Sequence, residues 1–379
     1  MVFTPSGGHL RELESLRRGS SDLVVARPVR TGFVDSAPTD TEGEVTVSAS
    51  VVRFGILGAA RIAPAAVIRP AARDPEATVE VIAARDPQRA GAYAKRHAIP
   101  RVADSYEAVV TDPGIDAVYI PLPNSLHAEW TLAALSAGKH VLCEKPFTAN
   151  ATEAQTVAAA AAKAAEESGL VVMEAFHYRY HPLALRMKEI VRSGELGRLR
   201  HIEAWMCALI PNKSDIRYQH SLAGGAMMDM GCYVVHLTRM LGGEEPAVRS
   251  AAAKLQSSDV DRAMSAELQF PGGHTASVHC SMWSSSFLHI AVRAVGDDGE
   301  MRVFNPFSPQ FASLLTVRSR GTRRSEFPAR RATYAYQLDA FCEAVLRGRP
   351  VLTSPSEAVA NMRIVDDVYR AAGMSPRGT

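Results

Sequence analysis

The stretch Phe54-Gly55-Ile56-Leu57-Gly58-Ala59-Ala60-Arg61-Ile62-Ala63 decides the fold of the first part of this chain. An apolar run, which predicts a β-strand, passes through small residues into a helical pattern. A dinucleotide-binding turn needs small residues at the turn, at the approach to the pyrophosphate and where helix packs on strand. Gly58, Ala60 and Ala63 stand at these three points. We therefore predict a cofactor-binding turn made of Gly58, Ala60, Arg61 and Ile62; the alternative is an ordinary strand–helix turn.

The end of the next predicted strand, residues 78–84, indicates which cofactor this turn binds. Sites that prefer NAD place an acidic side chain here, where it binds the ribose hydroxyls. This chain has Arg85 instead, and a guanidinium can bind a 2′-phosphate that a carboxylate would repel. We predict NADP as the cofactor, with NAD as the alternative because Asp86 can reach the ribose. Asp86 and Pro87 can also serve only to cap the following helix.

A third apolar strand, residues 115–121, ends in a loop that two prolines fix. Asn124 and His127 follow in this loop. The carboxyl ends of parallel strands form the crevice in which such folds bind ligands. We predict that both side chains contact the cofactor there, and the alternative is that they cap the next helix.

A fourth apolar strand ends in Glu144-Lys145-Pro146. The residue before a proline is driven away from helical backbone, so Lys145 is expected on extended chain. The Lys145–Pro146 bond is also a candidate for the cis form, which turns a chain sharply. A lysine at this strand end points into the ligand crevice. The alternative is a lysine exposed to solvent.

A cluster of chemically active residues follows the pair Gly224-Gly225. Asp229 and Tyr233 are four residues apart, and Tyr233 and His236 are three apart, so a helix would place all three on one face. The glycine pair would let the backbone approach a ligand. Tyrosine can act as a general acid or base when a nearby cation lowers its pKa, and we predict that Lys145 is this cation. The alternative is a purely structural helix face.

The composition sets limits on the remaining function classes. Of 379 residues, 47% are hydrophobic and 22% charged, which is ordinary for a globular protein. The net charge of +2 gives no electrostatic reason to expect a nucleic-acid or membrane partner. The five cysteines are scattered, which predicts neither a zinc site nor disulfides and favours the cytoplasm. Glu174, His177 and His181 could suggest a metal, but Pro182 disfavours helix at His181, and we predict no metal.

The pattern along the chain predicts three regions. Residues 1–50 are rich in Ser, Thr, Gly, Pro and Asp and are predicted to be a disordered N-terminal extension. Strands alternate with helices over residues 51–175, which predicts an α/β Rossmann domain with a parallel, doubly wound sheet. From residue 176 to 379 a strand-rich pattern predicts an α+β domain with a mostly antiparallel open sheet. We expect this domain to bind substrate and to form a homodimer or homotetramer through its sheet.

Taken together, these motifs resemble the Gfo/Idh/MocA family of NAD(P)-dependent oxidoreductases over about residues 51–372. Tyr233, together with Arg217, is similar to the branch that holds glucose-fructose oxidoreductase and the dimeric dihydrodiol dehydrogenases. The motifs that carry the resemblance are Gly58 to Ala63, Pro123-Asn124 with His127, Glu144-Lys145-Pro146, Glu174-Ala175-Phe176 with Tyr178-Arg179, and Gly224-Gly225-Ala226 with Asp229, Gly231 and Tyr233.

The resemblance implies a role for several residues. Lys145 is expected to be the active-site lysine, Asp229 to orient the substrate and Tyr233 to act as acid and base. The predicted substrate-binding residues are Tyr178, Arg217, Asp229 and His236, and Glu144 and Lys145 complete the predicted cofactor contacts.

The predicted function is transfer of hydride between NADP(H) and a hydroxyl or carbonyl carbon. The expected substrate is a sugar, a polyol or a cyclic diol. The alternative is a catalytically silent NAD(P)-binding regulator or sensor of the same fold, against which the presence of both Lys145 and Tyr233 argues.

Overall fold

Six parallel strands form the first sheet of the computed structural model, which describes residues 51–378 apart from the side chains of residues 284–287. The prediction for residues 1–50 lies outside this range. The sheet order is β3-β2-β1-β4-β5-β6, so the chain reverses its winding direction between β1 and β4. The predicted parallel, doubly wound sheet is confirmed. Its strands are β1 (Val52–Leu57), β2 (Ala77–Ala83), β3 (Arg101–Val102), β4 (Ala117–Ile120), β5 (His140–Cys143) and β6 (Val172–Glu174).

Helices connect these strands and cover the sheet. A π-helical turn, Pro64–Ile68, leads into the short α1 (Arg69–Ala71). The others are α2 (Pro87–His97), α3 (Tyr106–Val110), α4 (His127–Ser136), preceded by a 3₁₀ turn at Asn124–Leu126, and α5 (Ala151–Ser168). Side-chain caps set where two of them begin: Asp86 accepts hydrogen bonds from the amides of Gln88 and Arg89, and Asn150 accepts one from Glu153.

Eight strands form the second sheet in the order β14-β13-β12-β11-β7-β10-β9-β8. Only β7 and β10 pair in parallel, so the predicted mostly antiparallel sheet is confirmed. Its strands are β7 (Leu199–Leu209), β8 (Ala247–Leu255), β9 (Asp261–Gln269), β10 (Thr275–Ser281), β11 (Trp283–Gly296), β12 (Gly299–Phe304), β13 (Leu314–Ser319) and β14 (Thr322–Glu326).

The remaining helices pack on one face of the second sheet or return to the first. They are a 3₁₀ turn (His177–Tyr180), α6 (Pro182–Arg192), 3₁₀ turns at Ile216–Tyr218 and His220–Leu222, a π-helical turn (Met227–Gly231), α7 (Cys232–Gly242), α8 (Thr333–Arg347) and α9 (Pro355–Ala371). Helix α8 buries Leu338, Phe341 and Cys342 in the core of the first sheet. The boundary at residue 175 stays a prediction. None of the helices within residues 51–378 is long and apolar enough to cross a membrane.

Candidate active site

A cavity of about 740 Å³ is lined by residues at the carboxyl ends of β4 and β5 and by residues of the second, strand-rich part of the chain. Most of the predicted site residues line it: Ala60, Arg61, Ile62, Asn124, His127, Glu144, Lys145, Arg217, Asp229 and Tyr233. Gly58, Arg85, Tyr178 and His236 are not part of its wall. The structure therefore brings together residues that are up to 173 positions apart in the sequence (from Ala60 to Tyr233).

The turn after β1 has the properties of a phosphate cradle. Gly58 has φ of +100°, and an added Cβ would lie 3.1 Å from Leu122, so the turn requires glycine. Among the described residues, the backbone N–H groups of Arg61 and Ile62 have no hydrogen-bond acceptor. Unsatisfied N–H groups beside the start of a helix favour an anion. The residues present at this turn therefore fit a dinucleotide.

The two charged residues that follow β2, Arg85 and Asp86, have different surroundings. Asp86 is the N-cap of α2, as one alternative had it, with both of its amide hydrogen bonds formed inside the protein. Arg85 is exposed at the strand end. Arg89, which the sequence analysis missed, lines the cavity and donates a hydrogen bond of 2.8 Å to the carbonyl of Ala59. The sequence signal that could have identified Arg89 is its position four residues after Arg85.

His127 holds two loops in place rather than capping a helix. It is fully buried, with Nδ1 2.8 Å from the carbonyl oxygen of Pro146 and Nε2 2.9 Å from that of Leu122. Burial lowers the pKa of His127, and the two carbonyl partners oppose this shift. Asn124 donates a hydrogen bond of 2.9 Å to the carbonyl of Ala223 and so bridges the cavity. Both residues fix the cavity wall at the end of β4.

Lys145 and Asp229 form the charged centre of the cavity. The Lys145–Pro146 bond is cis. Lys145 Nζ donates to the backbone oxygen of Asp229 at 2.9 Å and to its Oδ1 at 3.0 Å, while Arg217 Nε donates to Oδ2 at 2.7 Å. Burial opposes ionisation of Asp229, but the charges of Lys145 and Arg217 outweigh it and lower its pKa to about 2. Burial likewise opposes the Lys145 ammonium, yet Asp229 outweighs it and raises the lysine pKa.

An ion-pair chain continues from this centre to the cofactor turn. Arg217 Nη1 lies 3.0 Å from Oδ1 of Asp215, and Arg61 Nη2 lies 2.8 Å from Oδ2 of the same carboxylate. Asp215 also caps its own 3₁₀ turn by accepting from the Arg217 amide. The sequence analysis did not single out Asp215, because a pair 154 residues apart leaves no local pattern.

Tyr233 lies beside this centre, and its hydroxyl bonds a histidine. Lys145 Nζ sits 4.9 Å from the centroid of the tyrosine ring. The hydroxyl is 3.1 Å from His177 Nε2, and His177 Nδ1 is 2.8 Å from the Thr333 hydroxyl. Burial raises the pKa of Tyr233 well above its ordinary value and lowers the pKa of His177 to about 3. The expectation that Lys145 lowers the tyrosine pKa is not met, because the ammonium faces the ring and bonds Asp229.

Tyr178 and His236, predicted to bind substrate, lie in the hydrophobic core. Tyr178 is fully buried, and its hydroxyl is 2.6 Å from His236 Nδ1. The ring of Phe176 stacks on His236 with centroids 4.3 Å apart and separates it from Tyr233. Tyr233 and His236 both lie on α7, but the ring of Phe176 packs against both of them, and only Tyr233 reaches the cavity. Neither residue reaches the cavity, so direct substrate contact does not fit this geometry.

Two buried carboxyl groups support the turn around Pro146. Glu144 Oε1 accepts a hydrogen bond of 2.7 Å from Tyr119, and Glu174 Oε1 accepts one of 2.8 Å from the Phe147 amide. Burial raises the pKa of Glu144, and it raises the pKa of Glu174 to about 8. Glu174 is therefore protonated at neutral pH and braces the lysine-bearing loop without adding charge.

The Gly224-Gly225 pair is packed closely against other parts of the protein. A Cβ on Gly224 would collide with the backbone of Arg217, and one on Gly225 with the carboxylate of Asp261. Both glycines also line the cavity, so the close approach of their backbone to a ligand stays a prediction.

The side chains considered for a metal are engaged elsewhere. His181 caps α6 by accepting a hydrogen bond from Leu183, on extended backbone as Pro182 predicted, and its Nε2 lies 3.0 Å from the carbonyl oxygen of Ala329. Over residues 51–378 no group of three or more His, Cys, Asp or Glu side chains is arranged to hold a metal ion. The prediction of no metal stays a prediction.

A parallel sheet with a phosphate-cradling first turn, beside a lysine–aspartate–tyrosine centre, defines the class of nucleotide-dependent oxidoreductases. Comparison with known families makes this specific. The family model described as an oxidoreductase family with an NAD-binding Rossmann fold matches residues 52–175, and that of the GFO/IDH/MocA C-terminal domain matches residues 184–302. The chain belongs to the Gfo/Idh/MocA family of oxidoreductases.

Similar proteins act on sugars and diols. The D-xylose 1-dehydrogenase (NADP(+)) 2 of Haloferax volcanii is 38% identical over 322 residues, which cover 84% of this chain and 97% of the relative. The trans-1,2-dihydrobenzene-1,2-diol dehydrogenase of Sus scrofa is 34% identical over 67% of this chain and 75% of its own length.

Solved structures show the same architecture. A 3-ketoreductase from Actinomadura kijaniata in complex with NADP and TDP-benzene matches with a TM-score of 0.78 at 28% identity, over 85% of this chain and 98% of that one. An aldose-aldose oxidoreductase from Caulobacter crescentus complexed with glycerol matches with a TM-score of 0.77 at 26% identity and the same coverage.

Proposed function

We propose that this protein is an NADP(H)-dependent oxidoreductase that moves hydride between the nicotinamide and a hydroxyl or carbonyl carbon of a sugar, polyol or cyclic diol. The observation that carries this proposal is the convergence of Lys145, Asp229 and Tyr233 on one cavity beside the Gly58 turn. These are a fixed positive charge, an ionised carboxylate and a protonated hydroxyl. Together they can bind and protonate a polar oxygen.

The cofactor would supply or accept the hydride, and the protein residues would align the reactants. The amides of Arg61 and Ile62, which bond nothing else in the described chain, would hold the phosphates. Asn124 and Glu144 would line the nicotinamide end, because both lie at the carboxyl ends of the central strands.

Tyr233 would exchange a proton with the reacting oxygen of the substrate. In the direction of reduction, its high pKa keeps it protonated, so its hydroxyl can donate to the carbonyl oxygen as hydride arrives. The Lys145 ammonium would polarise the same oxygen and stabilise the charge that develops on it. Asp229 would hold Lys145 in place and accept a hydrogen bond from a neighbouring substrate hydroxyl.

Substrate class follows from the polar character of the cavity and from the relatives. Arg217, Asp229 and Lys145 offer donors and acceptors to a substrate with several hydroxyl groups. The relatives named above act on D-xylose and on a dihydrodiol. A panel of pentoses, hexoses, polyols and cyclic diols, assayed by absorbance of the reduced cofactor, would identify the substrate.

The catalytic assignment is tested with the best substrate of this panel. Lys145→Met and Tyr233→Phe should each lower turnover by roughly a hundredfold or more, as expected for loss of acid–base assistance. The double variant should be hardly worse than either single one, because members of one catalytic unit are not additive. Because burial raises the pKa of Tyr233 well above its ordinary value, the tyrosine keeps its proton at neutral and mildly alkaline pH, so reduction by the wild type should not slow there through loss of that proton; the pH profile of the reduction rate measures this.

His236→Gln is a matched control for these variants, since His236 is a titratable residue of the same helix that does not reach the cavity. Full turnover by Tyr233→Phe would contradict the assignment. Binding of NADP⁺ with no turnover of any panel substrate would favour the alternative, a silent regulator.

Cofactor preference rests on Arg85, whose exposed guanidinium lies at the end of β2 with no acidic residue bonded to it in the described chain. We expect NADP⁺ to bind more tightly than NAD⁺. Arg85→Ala should weaken NADP⁺ by about 1.5–3 kcal/mol, as for a charge-assisted hydrogen bond, and leave NAD⁺ unchanged. Isothermal titration of both cofactors measures this, and equal dissociation constants in the wild type would refute the preference.

The proposal includes assembly as a homo-oligomer and a location in the cytoplasm. A homodimer or homotetramer through the second sheet is supported by the face of this sheet that the helices leave uncovered. A cytoplasmic location is supported by five free cysteines, none of them in a disulfide.

A further inference from the structure

A second cavity, of about 320 Å³, shares no wall residue with the active-site cavity. The 3₁₀ turn His177–Tyr180 and the helices α6, α7 and α9 contribute its wall. Four cationic side chains line it: Arg179, Lys188, Arg192 and Arg239. No role in the proposed reaction accounts for this concentration of positive charge.

The main evidence for a ligand in this cavity is the buried arginine Arg179. It is only 8% exposed, yet its guanidinium has no hydrogen-bond or ion-pair partner anywhere in residues 51–378. Nη1 of Arg179 and Nη1 of Arg239 are both buried without an acceptor. An uncompensated buried charge is costly, and buried guanidinium groups are normally satisfied by an anion or by water.

The acidic residues of the same wall are already engaged. Arg239 bonds both Glu245 and Glu357, and Glu244 accepts a hydrogen bond of 2.7 Å from the Gly272 amide. Lys188 and Arg192 form no ion pair with any described residue. Arg179, Lys188 and Arg192 therefore form no ion pair with a described residue, and the four cationic side chains of the wall outnumber its three carboxylates.

The electrostatic effect on neighbouring groups agrees with an excess of positive charge. Burial lowers the pKa of Lys188, and the charges of Arg179 and Arg192 lower it further, while Glu357 opposes the shift. Burial also lowers the pKa of His236, with Arg239 and Arg179 acting in the same direction. The cavity thus favours a bound negative charge.

We propose that this cavity is a binding site for a small oxyanion, a phosphoryl or carboxylate group. Arg179 would place its unpaired positive charge beside such a group, with Lys188 and Arg192 supplying further charge and N–H donors at the opening. The bound anion would tie the 3₁₀ turn to α6 and α7. Since Tyr233 lies in the first turn of α7, the anion would stabilise the helix that carries part of the active site.

The test uses the full chain saturated with NADP⁺, so that phosphate contacts of the cofactor are already filled. Inorganic phosphate is titrated against chloride at constant ionic strength, and the melting temperature and the heat of binding are measured. We expect a saturable rise in melting temperature for the wild type. A parallel titration with succinate decides between a phosphoryl and a carboxylate ligand.

Lys188→Gln and Arg192→Gln are the diagnostic variants, because neither residue is in an ion pair and both should fold. Each should weaken phosphate binding by roughly tenfold or more, as for loss of a charge-assisted contact. Arg96→Gln, which removes an exposed arginine of α2 outside the cavity, should respond as the wild type does. The proposal is overturned if neither probe gives a saturable rise, or if the cavity variants respond as strongly as Arg96→Gln.

Discussion

The hydrogen bond between Tyr233 and His177 determines where the tyrosine proton points. Burial holds the pKa of His177 near 3, so its ring is neutral and carries one N–H. If Nε2 carries it, the ring donates to the tyrosine oxygen and leaves the hydroxyl proton for the substrate. This tautomer requires the Thr333 hydroxyl to donate to Nδ1, across the observed 2.8 Å.

His177 is therefore expected to act as a positioning residue. His177→Phe should lower turnover roughly tenfold, the value of one lost hydrogen bond, with little change in KM. His177→Gln keeps an N–H donor and should restore most of the rate. Steady-state kinetics and the pH profile of both variants measure this.

Thr333 offers a matched pair of controls for the same idea. Thr333→Ser keeps the hydroxyl and should behave as the wild type, whereas Thr333→Val should resemble His177→Phe. Wild-type kinetics and an unchanged pH profile in His177→Phe would show that the histidine is only a packing residue.

For single residues, the sequence predicted which charged side chains line the active-site cavity but not which side chains they bond. The Glu144-Lys145-Pro146 motif and the spacing of Asp229 and Tyr233 identified residues that do meet in one cavity. His177 was considered only as a metal ligand. Its contact with Tyr233 spans 56 positions, and local patterns carry no information about contacts that tertiary packing creates.

Among the elements, α8 joins the two halves of the chain. Phe341 on this helix is fully buried, with its ring centroid 5.5 Å from that of Phe54 on β1. A helix near the carboxyl end of the chain thus completes the core of the sheet that binds the cofactor. The sequence pattern of residues 333–347 favours a helix, but it does not show which sheet that helix covers.

Phe341→Ala should lower the free energy of unfolding by about 3–5 kcal/mol, because it leaves a cavity against β1. Phe327→Ala is the matched control: this phenylalanine is 83% exposed, and the substitution should change stability by less than about 0.5 kcal/mol. Denaturant unfolding measures both. Similar losses in the two variants would contradict the packing described for α8.

Two π-helical turns, Pro64–Ile68 and Met227–Gly231, precede the helices that flank the active site. Such turns are rare and often occur at functional sites. In the second, a Cβ on Gly231 would collide with the sulfur of Met227, so a larger residue there would require this methionine to move. The sequence analysis predicted a helical pattern after Gly58 and considered a helix from Asp229 to His236, but side-chain spacing does not distinguish a π from an α turn.

For the whole molecule, the uncovered face of the second sheet is the main surface to explain. Ile202 and Ala204 of β7 are buried under the helices, and Trp205 lies on the other face. Its ring stacks between those of His279 and His289, at centroid distances of 5.8 and 5.2 Å. A broad face with aromatic residues suits a second copy related by two-fold symmetry.

Trp205→Arg should convert the proposed dimer into a monomer, because two like charges would meet near the two-fold axis. Light scattering after size-exclusion chromatography measures the mass. Leu185→Arg adds the same charge to an exposed position on α6 and should not change the assembly. A wild-type protein that is monomeric at micromolar concentration would refute the proposed assembly outright.

The sequence by itself determined the alternation of strands and helices, the Gly58 turn and the residues of the charged centre. Each of these follows from local rules: apolar periodicity, backbone preferences of glycine and proline, and the chemistry of single side chains. These rules act over a few neighbouring residues, so one sequence suffices to apply them.

Only the tertiary structure decided that Tyr178 and His236 lie in the core and that Gly225 packs on Asp261. Arg377, near the end of the chain, bonds Asp261 and the carbonyl of Gly224 and so holds the loop that leads to Asp229. Such contacts join residues more than a hundred positions apart. Their geometry depends on how whole elements pack, because a buried polar group must find its partner wherever the fold brings one.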